Sequence, residues 1–450
     1  MKFWKTRLIP ATQCAALLTV LAIATPVTAQ EQTARQSGAE SRYILQDLGT
    51  AGGPNSYIQY TPRPVNRRGA VVGIADTSAS DPFDPFCFLD CFVVHAFEWQ
   101  HGALTDLGAL AAGASSAPNA INASGVVAGL SETGATDATA PFPPESHAVV
   151  WKDGQIIDLG TLGGTFSYAA DINDRGQVVG FALNGRSDAF IPRDNAFSGE
   201  CGAGPMGTEM RAFIWQEGRG MRSLGTLGGP ESCARYINQQ GQVAGFSFTS
   251  YKPNAGSGIP TFEPFIWTNG KMTSLGSLGG TQGFPNGINS QGQVAGYSNL
   301  AGDEITHAYF WDHGQMIDLL PGSDFAVANS LNDQGEVVGV AHNPGKRNGF
   351  AYLWRDGVVT HLEKCSEARS INSTTQIVGQ AFKCGTDASH AFFWERGGAA
   401  VDLNKLIAPG SGVTLTTATN ITDSGDIAAQ GRLANGEEHA FLLVPRNQSR

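Results

Sequence analysis

Apolar residues in this chain come in short runs broken by Gly and Asn, and the same three runs recur in order. One reads Ile-Asn-x-x-Gly-x-Val-Val-Gly, the next His-Ala-Phe-x-Trp, the third Asp-Leu-Gly-x-Leu-Gly-Gly. The β-branched residues around the Asn suit strands. Asn at the first turn position and Gly at the fourth suit a hairpin with a type I turn and a left-handed residue. The Asn side chain can bond the backbone two residues on, and Gly accepts positive φ without a Cβ clash. In the aromatic run, Phe and Trp share one face, while Ala and the mostly apolar fourth residue share the other. Both faces call for burial. That excludes a sheet with one wet side and fits blades stacked face to face, where Ala makes room for the neighbour's ring.

The repeat occurs eight times. Its turn carries Asn66, Asn122, Asn173, Asn238, Asn289, Asn332 and Asn372, with Thr422 in the last unit. The turn closes on Gly except at Thr375, where a different or strained turn is expected. The aromatic slot carries Trp99, Trp151, Trp215, Trp267, Trp311, Trp354 and Trp394, and Leu443 in the last unit. Truncating a fully packed Trp of this slot is expected to cost roughly 3–5 kcal/mol. Each unit holds four short strands, two in the Asn hairpin, one with Trp and one with Asp-Leu-Gly. Four-stranded units of this length are propeller blades. The chain opens on a fourth strand (43–48) and ends on a third (439–443), so the opening strand can complete the last blade. The expected fold is an all-β, eight-bladed propeller over residues 43–445, closed by its N-terminal strand. An open solenoid would leave both end strands as unpaired edges.

Residues 1–29 read as a signal peptide: Lys2, Lys5 and Arg7, an apolar run from Cys14 to Ile23, then Val27-Thr28-Ala29. Residues 30–42 read as a polar lead-in and 446–450 as a tail. Export, to the periplasm or beyond, is expected, with no transmembrane anchor. The net charge of −11 argues against nucleic acid and anionic membranes as partners. Six cysteines lie beyond the signal, an even number that favours disulfides in an exported chain. Cys365 and Cys384 flank the seventh hairpin, Cys87 and Cys91 share one long loop, and Cys201 and Cys233 pair by elimination. A metal at Cys87 and Cys91 would need two further ligands.

In a propeller, the connections from strand two to three and from one blade's fourth strand to the next blade's first share a face. Here they carry the variable lengths (76–93, 131–146, 183–210, 247–262, 431–437), all six cysteines and the Leu-Gly-Gly segments. Binding on rigid scaffolds concentrates on variable loops. Deleting residues 185–205 is therefore expected to weaken binding and leave folding intact. Candidate chemistry is sparse. Five histidines occupy a slot that elsewhere holds Arg211, Glu263 and Phe350, so they read as structural. The Asp of Asp-Leu-Gly becomes Ser223, Ser274 and His361 and reads the same way. Gly163-Gly164 and its relatives read as tight crossovers before an anion cradle. Asp171-x-Asn173-x-Arg175-Gly176 lacks the Glu that closes a calcium loop. No Gly-x-Ser-x-Gly, His-Glu-x-x-His or phosphate loop occurs.

These motifs in combination resemble the HAF-repeat family of predicted extracellular bacterial proteins, over roughly residues 43–444. The resemblance implies export and repeats, and no catalytic residue. The expected function is an exported binding module for a protein or glycan ligand, a monomer without cofactor or resident metal. The alternative is a secreted or periplasmic hydrolase, lyase or dehydrogenase with its site in the central channel. That alternative calls for acidic or His residues converging from non-equivalent positions.

Overall fold

The computed structural model describes residues 41–446 apart from 59–60, 83–89, 137–143, 191–194, 203–206, 347 and 387. The signal segment, the lead-in before Ser41, Cys87 and residues 447–450 therefore lie outside the described residues.

Eight four-stranded antiparallel units are described, running as blade 1 (52–106), blade 2 (116–158), blade 3 (167–223), blade 4 (232–274), blade 5 (279–318), blade 6 (325–364), blade 7 (366–402) and blade 8 (413–445). Blades 4, 5 and 6 are joined by single parallel pairings, Phe262 with Gln282 and Thr306 with Phe325. The fold is a β-propeller. The opening strand Tyr43–Asp47 pairs antiparallel with Glu438–Pro445 and supplies the fourth strand of blade 8. The ring is closed by the two ends of the domain, as the phase of the repeat requires.

The aromatic run packs as its alternation demands. Ala148 and Val150 of blade 2 lie with Phe213 and Trp215 of blade 3, and Ala212 and Ile214 with Phe265 and Trp267 of blade 4. Ala351 and Leu353 of blade 6 meet Phe392 and Trp394 of blade 7 in the same way. Across the seam, Ala440 and Leu442 of blade 8 meet Phe97 and Trp99 of blade 1. The Trp slot is not uniform. Trp99, Trp151, Trp354 and Trp394 are buried, whereas Trp215, Trp267 and Trp311 are half-buried. The inner Phe or Tyr of the run is the more completely enclosed residue.

The turn asparagines do more than cap their own hairpins. Each Oδ1 accepts from the backbone N–H two residues on, as with Arg68 and Gln240, and again from the one four residues on. Each Nδ2 then donates to the turn carbonyl of the next blade. The bonds run Asn66 to Asn122, Asn122 to Asn173, Asn173 to Asn238, Asn238 to Asn289, Asn289 to Asn332, Asn332 to Asn372 and Asn372 to Thr422, all at 3.0–3.2 Å. Asn238→Ala removes two acceptor bonds and one inter-blade donor from a buried site. It is expected to cost on the order of 3 kcal/mol in urea unfolding.

Thr375 keeps the turn of its neighbours. Its N–H bonds Asn372 O at 3.1 Å and its φ is 60°, in the left-handed region that suits Gly. A different turn does not form. The backbone is strained as expected, and the side chain accounts for the residue. Its hydroxyl donates at 2.7 Å to the buried carboxylate of Glu336, which Arg355 and Asn332 also contact. Thr375→Val keeps the shape and removes that donor. The expected loss is about 1–3 kcal/mol, read by thermal melting.

Candidate functional site: the central channel and the long-loop face

The innermost strand of blades 2 to 8 carries a register shift one step before the turn, at Asn119, Ala170, Arg235, Asn286, Asn329, Arg369 and Thr419. A bulge bends the strand and re-aims one side chain. Arg63 holds the same place, three residues before the Asn, in blade 1. Six of these eight residues, Arg63, Arg235, Asn286, Asn329, Arg369 and Thr419, line a channel cavity of about 320 Å³.

Two layers of bonds order it. The bulge amides stitch blades together: Asn119 donates to Ala169 O, Asn286 to Ala328 O and Asn329 to Ala368 O, at 2.7–2.9 Å. Arg63 spans several blades. Arg63 reaches from blade 1 to Ile172 O at 3.1 Å, to Ile237 O, and to Asp171 at 3.4 Å. The Asp171 carboxylate also accepts from Ile172 N and Ile237 N. Burial raises its pKa, while Arg63 and those two N–H groups oppose the shift. Arg369 bonds Glu367 at 3.2 Å and Gln380 at 2.9 Å. Burial lowers the Arg369 pKa to about 9, so the group stays charged at neutral pH. Arg235 donates to the carbonyl of Glu200, at the end of a short helix, Asn195–Glu200, and lies over the Tyr236 ring.

On the long-loop face, Phe197 and Cys201 of the connection within blade 3 are part of the core. Phe197 is fully buried and stacks 4.4 Å from Phe248, with Phe246 and Phe262 edge-on. Removing residues 185–205 would uncover that cluster, so the expectation that folding survives the deletion is corrected. The Leu-Gly-Gly crossovers are tight: Gly164 N–H bonds Leu183 O at 3.0 Å, and a Cβ on Gly164 would collide with that of Leu183. Cys365 and Cys384 form a disulfide across the seventh hairpin, with Cα atoms 5.5 Å apart. Cys91 is disulfide-bonded, with a partner outside the described residues. Cys201 and Cys233 meet inside the aromatic cluster but are free thiols, so the disulfide expected there is corrected to a thiol contact. Burial pushes the Cys201 thiol up, as does the Cys233 side chain bonded to it.

Four of the five His-Ala-Phe histidines bond the Asp of the following strand: His95 to Asp106, His147 to Asp158, His307 to Asp318, and His439 to Asp47 across the closure, at 2.7–3.0 Å. Where His is replaced, so is its partner. Glu263 meets Ser274, and the Phe350 ring stacks on His361 at 3.9 Å. The slot is a structural pair. No histidine lines the channel cavity, and no group of three or more metal-ligating side chains occurs among the described residues.

No protein-family model matches the chain, and no curated protein matches it. Solved structures do. The β-propeller domain of the Trilobed protease from Pyrococcus furiosus, with an open velcro topology, matches over 79% of this chain and 97% of its own, at 12% identity and TM-score 0.44. TolB from Acinetobacter baumannii matches over 90% of each chain at 11% identity and TM-score 0.32. A prolyl endopeptidase structure matches over 93% of this chain and 54% of its own, at 12% identity and TM-score 0.43.

The sequence reading singled out the turn asparagines, the Trp slot and the cysteines, and the structure places them in the scaffold. It missed the bulge ring, whose signal is a polar residue three places before the turn residue in every unit but the third, where Ala170 stands.

Proposed function

We propose that this protein is an exported binding module of the HAF-repeat type that takes a protein or glycan ligand on its long-loop face. The observation that carries the reading is the asymmetry of the two faces. On one, seven repeated turns consume their polar side chains in the Asn ladder. On the other, the connections differ from blade to blade and carry a disulfide staple. A face with its hydrogen bonds spent on itself has little to offer a partner, and variable stapled loops suit recognition. Tyr251, Ile305 and Phe382, three of the large apolar side chains left exposed, lie in or beside strand-two-to-three connections on that face. A disulfide fits an oxidising compartment, which supports export. No helix among the described residues is long and apolar enough to cross a membrane.

The test is a glycan array and a pull-down with the chain from residue 30, beside the Tyr251→Ser, Ile305→Ser, Phe382→Ser triple variant. The variant is expected to melt like the parent and to lose binding by about tenfold or more, the scale of one or two anchor residues. Unchanged binding by the folded variant would remove the rim from consideration.

A further inference from the structure

The channel cavity holds a charge that its own residues leave uncompensated. Its lining contributes three arginines, Arg63, Arg235 and Arg369, against two carboxylates, Asp171 and Glu367. Arg63 is paired with Asp171, and Arg369 with Glu367. Arg235 contacts a carbonyl and a tyrosine, both neutral, and no salt bridge reaches it among the described residues. Cations taken from water are ordinarily matched by an anion. A positive channel inside a chain of net charge −11 is also a local inversion of the surrounding field.

The amides beside it are set for a different partner. Asn286 donates its Nδ2 to Ala328 O of the next blade, and Asn329 donates its own to Glu367 and to Ala368 O. That fixes each amide plane and leaves each Oδ1 as an acceptor with no donor among the described residues. A fixed acceptor lining a cavity suits a hydroxyl. At about 320 Å³ the cavity lies at the small end of ligand pockets.

We propose that the central channel binds a small sugar acid, its carboxylate on Arg235 and its hydroxyls on the Oδ1 atoms of Asn286 and Asn329. The channel is a site separate from the loop rim and does not rest on it.

Isothermal titration with glucuronate, glucose and acetate tests the assignment. Glucuronate should bind, with glucose (hydroxyls alone) and acetate (carboxylate alone) each weaker by about tenfold or more. Arg235→Gln keeps a donor for Glu200 O and removes the charge. Thr419→Asp sets a carboxylate on the opposite side of the lining without touching Arg235. Each should weaken glucuronate by about tenfold or more while melting like the parent, and the Tyr251/Ile305/Phe382 rim variant should leave the affinity unchanged. No binding of glucuronate overturns the proposal, as does equal binding of glucose or acetate. Retained affinity in a folded Thr419→Asp variant also overturns it, and so does loss in the rim variant. Should Arg235→Gln fail to fold, Thr419→Asp decides.

Discussion

A chain lacking residues 41–47 is expected to lose most of its cooperative stability, because that strand is a blade edge and the clasp of the ring. Tyr43 is almost fully buried and packs with Phe393, Leu415 and Leu443. Arg42 makes two 2.8 Å bonds to Glu395 and lies 4.6 Å over the Phe393 ring, tying the strand to blade 7 as well. Without it, Glu438–Pro445 would expose its backbone edge to water. The Asn ladder offers no substitute at this seam, since Thr422 has no amide to pass on to blade 1. What remains across it is the packing of Ala440 and Leu442 on Phe97 and Trp99 and a few scattered bonds, among them Asn55 Oδ1 accepting from Glu438 N, Ser56 Oγ accepting from Ala440 N, and Gln430 bonding Ile58 N and Ser56 O. Burial of Tyr43 alone is worth roughly 2–3 kcal/mol, and with the pairing lost the total becomes a large share of an ordinary domain's stability. Guanidinium unfolding measures it. A truncated chain unfolding at the parent's midpoint would show that the ring does not need its clasp.

The same region carries part of the pH dependence. The Asp47 hydrogen bond raises the His439 pKa, against burial. A raised His stabilises the fold fully below its ordinary value of 6.5 and loses that contribution as pH climbs through the folded value. Burial opposes ionisation of Asp47, but the His439 and Gly49 bonds outweigh it and its pKa falls. Its contribution is present above the ordinary 3.8 and is lost as pH drops through the folded value. Burial and then the neighbouring Asp90 charge lift Asp76 to about 6. The fold therefore favours its neutral form and is weakened as pH rises from 3.8 through 6. The three signs agree on a seam firmest at mildly acidic pH. Melting temperature should fall from about pH 5 to about pH 8, and Asp76→Asn should remove part of the slope and gain on the order of 2 kcal/mol at the upper end. A parent melting profile flat over that range would contradict the assignment.

What was legible in the sequence was whatever the repeat enforces. The strand order, the stacking of Ala against aromatic rings and the clasp all follow from an alternation that has two buried faces. What was not legible depends on three-dimensional neighbours of a single blade. The ladder carbonyls lie 40 to 65 residues from the amides they accept from. The bulge residues vary between Arg, Asn, Ala and Thr, so a search for a fixed motif passes over them. The connection 183–210 read as a surface loop because its length is unlike its neighbours', yet Phe197 within it fills a hydrophobic gap beside blade 4. The weight placed on Trp was also too even, since its ring reaches toward the rim of the blade while the Phe two residues earlier stays inside.

That difference is measurable in blade 4. Phe265 is fully buried between Ala212 and Ile214 of blade 3 and its own sheet, whereas Trp267 is half-buried. Phe265→Ala should cost about 3–5 kcal/mol, and Trp267→Ala clearly less, since only the enclosed part of its ring leaves a cavity. The ring of Phe265 lies over Gly245, its cross-strand partner in the Val-Ala-Gly run, and a Cβ on Gly245 would stand 2.7 Å from the Phe265 Cζ. The same Cβ would meet the Cys233 carbonyl, a backbone atom of the inner strand that cannot swing away. Gly245→Ala therefore forces the innermost pairing of the blade apart and should cost more than about 3 kcal/mol, the upper range of overpacking. The double variant discriminates between the two causes. If the ring alone demanded Gly, Phe265→Ala would make room and Gly245→Ala would then cost nothing further. With the carbonyl in the way, the Gly245→Ala penalty should persist in the Phe265→Ala background to within about 1 kcal/mol in urea unfolding. A full rescue would show that the glycine is there for the aromatic ring and not for the strand beneath it.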